Sequence, residues 1–143
     1  MAAKSELEES LILQPRFDTD GLVTCVATDA ASGEVLMVAH MNAESLARTV
    51  ASGDAWYYSR SRRALWRKGE SSGHTQRVVE LRVDCDQDAV WIRVVQEGPG
   101  ACHTGRRSCF YRTAPIGQSG ATVTLEFRDA DQAFDPGAVY KPK

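Results

Sequence analysis

Metal-binding side chains are concentrated in two short segments of this chain, and any fold it adopts must give them suitable geometry. The segments are D-C-D-Q-D at residues 84–88 and A-C-H-T-G-R-R-S-C-F at residues 101–110, with three of the four cysteines, three aspartates and a histidine. Thiolates are soft ligands typical of zinc, whereas carboxylates are hard ligands typical of magnesium or calcium. The pattern predicts a metal site and is compatible with two different cations.

The aspartates of the first segment alternate with other residues, at Asp84, Asp86 and Asp88. If residues 83–88 are extended, these carboxylates share one face of a strand and Cys85 points to the other. Three neighbouring carboxylates repel one another, and a divalent cation removes that repulsion. A calcium EF-hand is excluded, because its Gly and Glu positions would be Ala89 and Val95. A solvated acidic turn between two strands is the alternative.

The three cysteines of these segments are Cys85, Cys102 and Cys109, with sixteen residues between the first two and six between the last two. No C-x-x-C pair is present, so a structural zinc ribbon or finger is disfavoured. Three protein ligands leave a fourth tetrahedral position for water, which is typical of catalytic zinc. The alternative is that these cysteines are small buried apolar residues or form a disulfide.

The composition predicts one soluble domain spanning residues 1–143, because 43% of its residues are apolar and can form a hydrophobic core. The acidic start, M-A-A-K-S-E-L-E-E-S, lacks the apolar region of a signal peptide, and no stretch approaches the roughly 18 apolar residues of a membrane span. We therefore expect a cytoplasmic protein that does not bind membranes. The net charge of -2 argues against a nucleic-acid-binding protein.

Apolar alternation between turn residues predicts a mainly β chain. The predicted strands cover residues 22–28, 34–40, 56–61, 78–84, 89–96 and 121–128, and the first two form a hairpin. The tail after Asp129 has Pro and Gly residues typical of a loose terminus, and the N-terminus is also expected to be loose. We expect an α+β, mainly β fold with one or two short helices and a curled sheet of mixed or antiparallel strands.

One short helix is predicted between two capping residues. Asn42 stands at an N-cap position and Gly53 at a C-cap position. Leu46, Ala47 and Val50 fall on one face of this helix.

A basic segment, S-R-S-R-R-A-L-W-R-K-G-E-S-S-G-H at residues 59–74, separates the predicted strands. Arg side chains and Ser hydroxyls suit phosphate oxygens, glycines allow a ligand to approach the backbone, and an indole ring can stack on a base. The candidate substrate-binding residues are Arg60, Ser61, Arg62, Trp66, Lys68, Glu70 and Ser72. The alternative is a solvated basic loop.

Five motifs in this order resemble the phosphoribosyl-AMP cyclohydrolase family. They are E-V-L-M-V-A-H-M-N at residues 34–42, Y-Y-S-R-S-R at 57–62, L-W-R-K-G-E-S-S-G-H at 65–74, and the two metal-binding segments. The resemblance covers a motif core of about residues 20–113. It implies a histidine-biosynthesis enzyme that uses water to open the adenine ring of phosphoribosyl-AMP, between the first nitrogen and the sixth carbon.

The resemblance also implies the metals and the assembly. Zinc would be held by Cys85, Cys102 and Cys109, and magnesium by Asp84, Asp86 and Asp88. The family forms an intertwined homodimer, in which Cys85 of one subunit would complete the zinc site of the other.

Ring opening requires an acid that protonates the leaving nitrogen. His103 is the first candidate, because it adjoins Cys102 and imidazole titrates near neutral pH. His74 is the second candidate, with Lys68 in the same loop. His40, where the family commonly has Tyr, is expected to be structural, and Cys25 in an apolar strand is expected to belong to the core.

Two other functions remain open at this stage. One is a non-catalytic zinc-binding module that binds RNA or a nucleotide through its Arg-rich loop. The other is a magnesium phosphoesterase built on the aspartates, which leaves the cysteines unexplained.

Overall fold

The computed structural model describes residues 4–118, 122–128 and 134–139. The helices are α1 (Lys4–Glu9), α2 (Ala43–Ser52) and α3 (Pro136–Val139). The strands are β1 (Val23–Asp29), β2 (Val35–Met41), β3 (Trp56–Ser59), β4 (Ala64–Arg67), β5 (Gln76–Val83), β6 (Ala89–Gln96), β7 (Arg112–Thr113) and β8 (Glu126–Phe127). This content confirms the predicted α+β, mainly β class.

Four strands form a mixed sheet in the order β2-β1-β6-β5. The β1-β2 pair is the predicted antiparallel hairpin, and β5 and β6 form a second antiparallel hairpin. The inner strands β1 and β6 are parallel, with Thr24 opposite Ala89 and Thr28 opposite Arg93. The two hairpin turns therefore lie at opposite ends of the sheet, with residues 84–88 at one end and the β1-β2 turn at the other.

The core is formed by alternate residues of the two inner strands and by side chains that pack on them. The fully or almost fully buried residues of these strands are Val23, Cys25, Ala27, Val90, Ile92 and Val94. Leu36 and Tyr57 are also completely buried against them. Burial raises the pKa of the Cys25 thiol to about 12, which keeps it protonated, and the prediction that Cys25 belongs to the core is confirmed.

Helix α2 has the predicted caps. The Asn42 side chain accepts a hydrogen bond from the Ser45 amide at 2.8 Å, and Gly53 adopts a left-handed φ of 78°. Of the three apolar residues predicted on one face, Leu46 is buried, whereas Ala47 and Val50 are exposed. The helix instead buries Ser45 and Thr49, whose hydroxyls bond to neighbouring backbone groups.

The basic segment predicted as a loop contains a strand. The strand predicted at residues 56–61 ends at Ser59, and the chain turns back through Arg63, which has a φ of 50°. Strand β4 then pairs antiparallel with β3, so that Trp66 lies opposite Tyr57 with ring centroids 4.9 Å apart. This hairpin gives the basic segment a rigid base.

Described residues near both chain ends contact the rest of the chain. The predicted strand at residues 121–128 is reduced to β8 within the described part, and residue 121 lies outside it. Of the predicted C-terminal tail, residues 129–133 and 140–143 lie outside the described residues, while Phe134 packs edge-on against His74. Near the N-terminus, the Arg16 amide donates to the Gln87 carbonyl at 2.7 Å.

Among the described helices, none has the length and apolar character to cross a membrane.

Candidate active site and metal-binding groups

A cavity of about 330 Å³ lies where the basic segment meets the loop that carries the second pair of cysteines. The predicted site residues that line it are Arg62, Trp66, Lys68, Glu70, Ser72, His103 and Cys109. The lining residues outside that candidate set are Met37, Arg67, Gly69, Ser71 and Ala101. Residues far apart in the sequence thus surround one space that has both cationic and thiol groups.

Lys68 joins the two walls of this cavity. Its ammonium group is almost completely buried and donates a hydrogen bond to the Ala101 carbonyl at 2.5 Å. Burial lowers the pKa of Lys68, while the nearby thiols of Cys109 and Cys102 act in the opposite direction. Lys68 therefore places its amino group beside the cysteine loop, residues 101–109.

Arg60 and Ser61 do not line this cavity. They border a second, more open cavity of about 580 Å³ together with His40 and Tyr58, and Trp66 contributes to both cavities. The predicted substrate-binding set is therefore divided between two neighbouring spaces. The sequence could not reveal this division, because it depends on the β3-β4 turn that was predicted as part of a loop.

The cysteine loop is bound to the start of β2. The Cys109 amide donates to the Leu36 carbonyl at 2.8 Å, and the Ser108 hydroxyl donates to the Val35 carbonyl at 2.6 Å. Partial burial, followed by the neighbouring Cys102 sulfur, raises the pKa of the Cys109 thiol to about 12. Ionising the Cys109 thiol at neutral pH would require a cation beside it, and a soft divalent ion such as zinc fits that need.

Cys85 lies at the other end of the sheet, exposed in the β5-β6 turn. On β1, Thr24 lies beside Ala89 and Thr28 lies opposite Val35, and four residues of strand span about 13 Å. Two sulfurs that bind one zinc lie within about 4.6 Å of each other, because each Zn–S bond is about 2.3 Å. Within the described part of a single chain, the three cysteines are not brought together.

The three aspartates do converge. Among the described residues, Asp84, Asp86 and Asp88 are the one group of three or more potential metal ligands whose ligand atoms lie within 4.8 Å of one another. Residues 85–88 form a turn between β5 and β6, as in the alternative interpretation, and are not extended; this turn gathers the carboxylates. Hydrogen bonding with Asp84, followed by Asp86, raises the pKa of Asp88 to about 6. Three close carboxylates of this kind fit a hard divalent cation such as magnesium.

The histidines occupy different environments. His103 is exposed at the first cavity, whereas His74 is buried against Phe134 and Gly98 and does not line that cavity. Within the described residues, the buried Nδ1 atom of His74 has no hydrogen-bond partner. His40 is half-buried, and burial lowers its pKa. Of the two predicted proton donors, His103 is the one that reaches the space between the cationic groups and the thiols.

Comparison with known proteins agrees with the resemblance of the motifs. The family model described as phosphoribosyl-AMP cyclohydrolase matches residues 37–111, a range that includes the basic segment, the aspartate turn and the cysteine loop. A protein of Bradyrhizobium diazoefficiens with that name is 69% identical over 99% of this chain and 99% of its own length. A protein of Nitrobacter winogradskyi with the same name is 67% identical over 99% of this chain and 96% of its own. The chain belongs to the phosphoribosyl-AMP cyclohydrolase family.

Proposed function

We propose that this chain hydrolyses the adenine ring of phosphoribosyl-AMP between ring nitrogen 1 and carbon 6, as a step of histidine biosynthesis in the cytoplasm. Membership of the family gives the reaction class. The observation that carries the proposal on this chain is the cavity in which Arg62, Trp66 and Lys68 face His103 and Cys109. In one space, these residues offer groups that can bind an anion, stack on a purine ring and hold a metal ion.

The substrate would be held by the basic segment. Arg62 has a guanidinium group that can donate two parallel hydrogen bonds to a phosphate, and Trp66 has a ring on which the purine can stack. Lys68 adds a positive charge close to the thiols, and Glu70 and Ser72 add polar groups on the same wall. Binding the phosphates away from the reacting ring orients the ring toward the cysteine loop.

Cys102 and Cys109 would hold zinc together with Cys85 of a second subunit, in a homodimer. The separation of Cys85 from the other two cysteines along the sheet supports a shared site, since one chain cannot supply all three ligands to one ion. Zinc bound there would supply a nucleophilic water at neutral pH. His103 would hold the proton that ring nitrogen 1 requires as its bond to carbon 6 breaks.

The aspartate turn would bind magnesium. Its three carboxylates and the raised pKa of Asp88 support a cation at this position, because a divalent ion replaces the proton that relieves their repulsion. Cys85 lies within the same turn, so the two metals would be close to each other in the assembled dimer.

The test is a turnover assay on the purified protein. Phosphoribosyl-AMP is supplied with zinc and magnesium, and ring opening is followed by absorbance, with Cys102→Ser as the inactive control. We expect ring opening that depends on zinc. Binding without turnover would contradict the proposal and favour the zinc-binding nucleotide or RNA module. Release of phosphate in its place would favour the phosphoesterase.

A further inference from the structure

Gln87 adopts an unusual backbone conformation at the centre of the aspartate turn. Its φ is 58°, in the left-handed region, and its amide donates to the Asp84 carbonyl at 3.1 Å. Hairpin turns commonly use Gly at such a position, because a Cβ atom is disfavoured there. A glutamine persists in this conformation only where its surroundings hold it.

The N-terminal segment, residues 12–16, supplies those surroundings. The Gln87 side-chain oxygen accepts a hydrogen bond from the Gln14 amide at 2.8 Å, and its nitrogen donates to the Ile12 carbonyl at 3.1 Å. The Arg16 amide donates to the Gln87 carbonyl at 2.7 Å. Gln87 is 3% exposed, so both ends of its amide are satisfied away from solvent. The side chain thus attaches the turn to a separate part of the chain.

This attachment acts directly on the carboxylates. The amides of Asp88 and Ala89, immediately after Gln87, both donate to Asp84 Oδ1, at 2.9 and 3.1 Å. The direction of these amides follows from the backbone conformation of Gln87. The turn also places Asp86 Oδ2 3.9 Å from the Arg16 guanidinium. A change at Gln87 would therefore alter how the aspartates are oriented toward one another.

We propose that Gln87 is a positioning residue for the divalent cation, and that the backbone of residues 12–16 supports the cation site from outside by holding Gln87. The inference rests on the proposed role of the aspartates in cation binding. Coupling between two equilibria is reciprocal. If the N-terminal segment favours cation binding, the cation must favour the attached state of the segment.

The first measurement is a titration of the full-length, zinc-loaded protein with Mn²⁺, an oxygen-preferring ion whose free form is counted by electron paramagnetic resonance. We expect Gln87→Gly to weaken Mn²⁺ binding about tenfold or more, the usual scale for losing a partner that supports metal ligands. Gly tolerates the left-handed backbone, so this loss would come from the missing side chain. Asn also tolerates the left-handed backbone, but its side chain is one methylene too short to reach residues 12–14. Gln87→Asn should therefore weaken Mn²⁺ binding by a similar factor.

A matched pair at position 14 tests the N-terminal segment. Gln14 has an exposed side chain and uses its backbone amide to hold Gln87. Gln14→Ala keeps that amide and should bind Mn²⁺ as the unmodified protein does, whereas Gln14→Pro removes it and should bind more weakly. Hydrogen exchange gives the reciprocal measurement: Mg²⁺ should slow exchange of the Gln14 and Arg16 amides in the unmodified protein but not in Gln87→Gly.

Unchanged Mn²⁺ affinity in Gln87→Gly and Gln87→Asn would overturn the inference, even if their melting temperatures fell, because Gln87 would then be merely structural. Should Gln87→Gly fail to fold, the two Gln14 variants test the inference: equal Mn²⁺ affinity of Gln14→Ala and Gln14→Pro would overturn it. If Asp86→Asn binds Mn²⁺ as tightly as the unmodified protein, the cation is not at the aspartates. That result would overturn this inference and the proposed magnesium site, while the turnover assay would still decide the cyclohydrolase activity.

Discussion

Among single residues, the four cysteines differ in what surrounds each sulfur. Cys25 is completely buried among apolar side chains, whereas Cys102 and Cys109 lie near each other and near Lys68, and Cys109 lines the cavity. Cys85 is exposed in the aspartate turn. Burial alone would make a thiol inert, so the neighbouring charge and the neighbouring sulfur distinguish the proposed ligands from the core cysteine.

We predict that Cys85→Ser, Cys102→Ser and Cys109→Ser each lose both zinc and activity, because a site with two remaining thiolates binds zinc weakly. Cys25→Ala is the control, since Cys25 is in the core and alanine does not bury an unpaired hydroxyl. Metal analysis and the turnover assay measure both properties. Loss of zinc in Cys25→Ala, with its fold intact, would contradict the ligand assignment.

His103→Ala should keep its zinc and lose turnover by about a hundredfold or more, the usual scale for a general acid or base. The reason is that His103 is the histidine exposed at the first cavity. Zinc content and the rate are measured on the same preparation. Full turnover in the variant would remove His103 from the mechanism, and joint loss of zinc and activity would make it a ligand or a support for one.

The sequence could identify the ligand types at the site but not their positions. The spacing of Asp84, Asp86 and Asp88 indicates that they lie together, but it leaves open whether a strand or a turn gathers them. His74 looked comparable to His103, and only the packing against Phe134 and Gly98 separates the two. The sequence gives no sign of the proposed role of Gln87, because that role depends on a positive φ and on hydrogen bonds to residues more than seventy positions away.

At the level of structural elements, the β3-β4 hairpin divides the basic segment. Arg62 faces the cavity that contains Cys109, whereas Arg60 borders the second cavity. We therefore predict that Arg62→Ala raises the KM for phosphoribosyl-AMP about tenfold or more, since losing one charged hydrogen bond costs about 1.5 to 3 kcal/mol. Arg60→Ala is the matched comparison and should raise KM less. The opposite ranking in steady-state kinetics would show that the phosphates occupy the second cavity.

The β1-β2 turn is linked to the cysteine loop through Asp29. This carboxylate accepts hydrogen bonds from the Ser32 and Ala31 amides at 2.8 and 3.1 Å and lies 3.2 Å from the Arg107 guanidinium. The Ser32 amide above all, and then Arg107, hold the pKa of Asp29 below its ordinary value. The charged form therefore stabilises the folded state.

Because the folded-state pKa of Asp29 is lowered, its stabilisation is present above the unfolded value of about 3.9 and is lost as pH falls through the folded value. We predict that Asp29→Asn is less stable than the unmodified protein at pH about 7, and that the difference shrinks in acid below about 3.9. Urea unfolding at the two pH values measures it. A difference that does not change with pH would mean that the charge of Asp29 contributes nothing.

Regular elements with strong local signals could be predicted from the sequence. Strand β6 has the predicted bounds, and α2 has the predicted caps, because apolar alternation and capping residues act locally. Strand β4 was missed, since a four-residue strand rich in polar neighbours depends on pairing with β3. The sequence does not predict that α2 buries Ser45 and Thr49, because their hydroxyls are satisfied within the structure and can replace apolar residues there.

At the scale of the whole molecule, the central claim is that one active site draws on two chains. The sheet places Cys85 and the Cys102–Cys109 pair at opposite ends, and no spacing in the sequence could show this, because it follows from the parallel pairing of β1 with β6. A homodimer with two-fold symmetry would contain two such sites, each with Cys85 from one subunit and the other two cysteines from its partner.

The most direct test is complementation between inactive subunits. Cys85→Ser and Cys102→Ser chains are unfolded together and refolded as a mixture, with mixed dimers confirmed by mass. In each mixed dimer, symmetry places both substitutions in one site and leaves the other intact. With random pairing about half the dimers are mixed, so the account predicts recovery of about a quarter of the unmodified activity. Zero activity in confirmed mixed dimers would contradict the shared site.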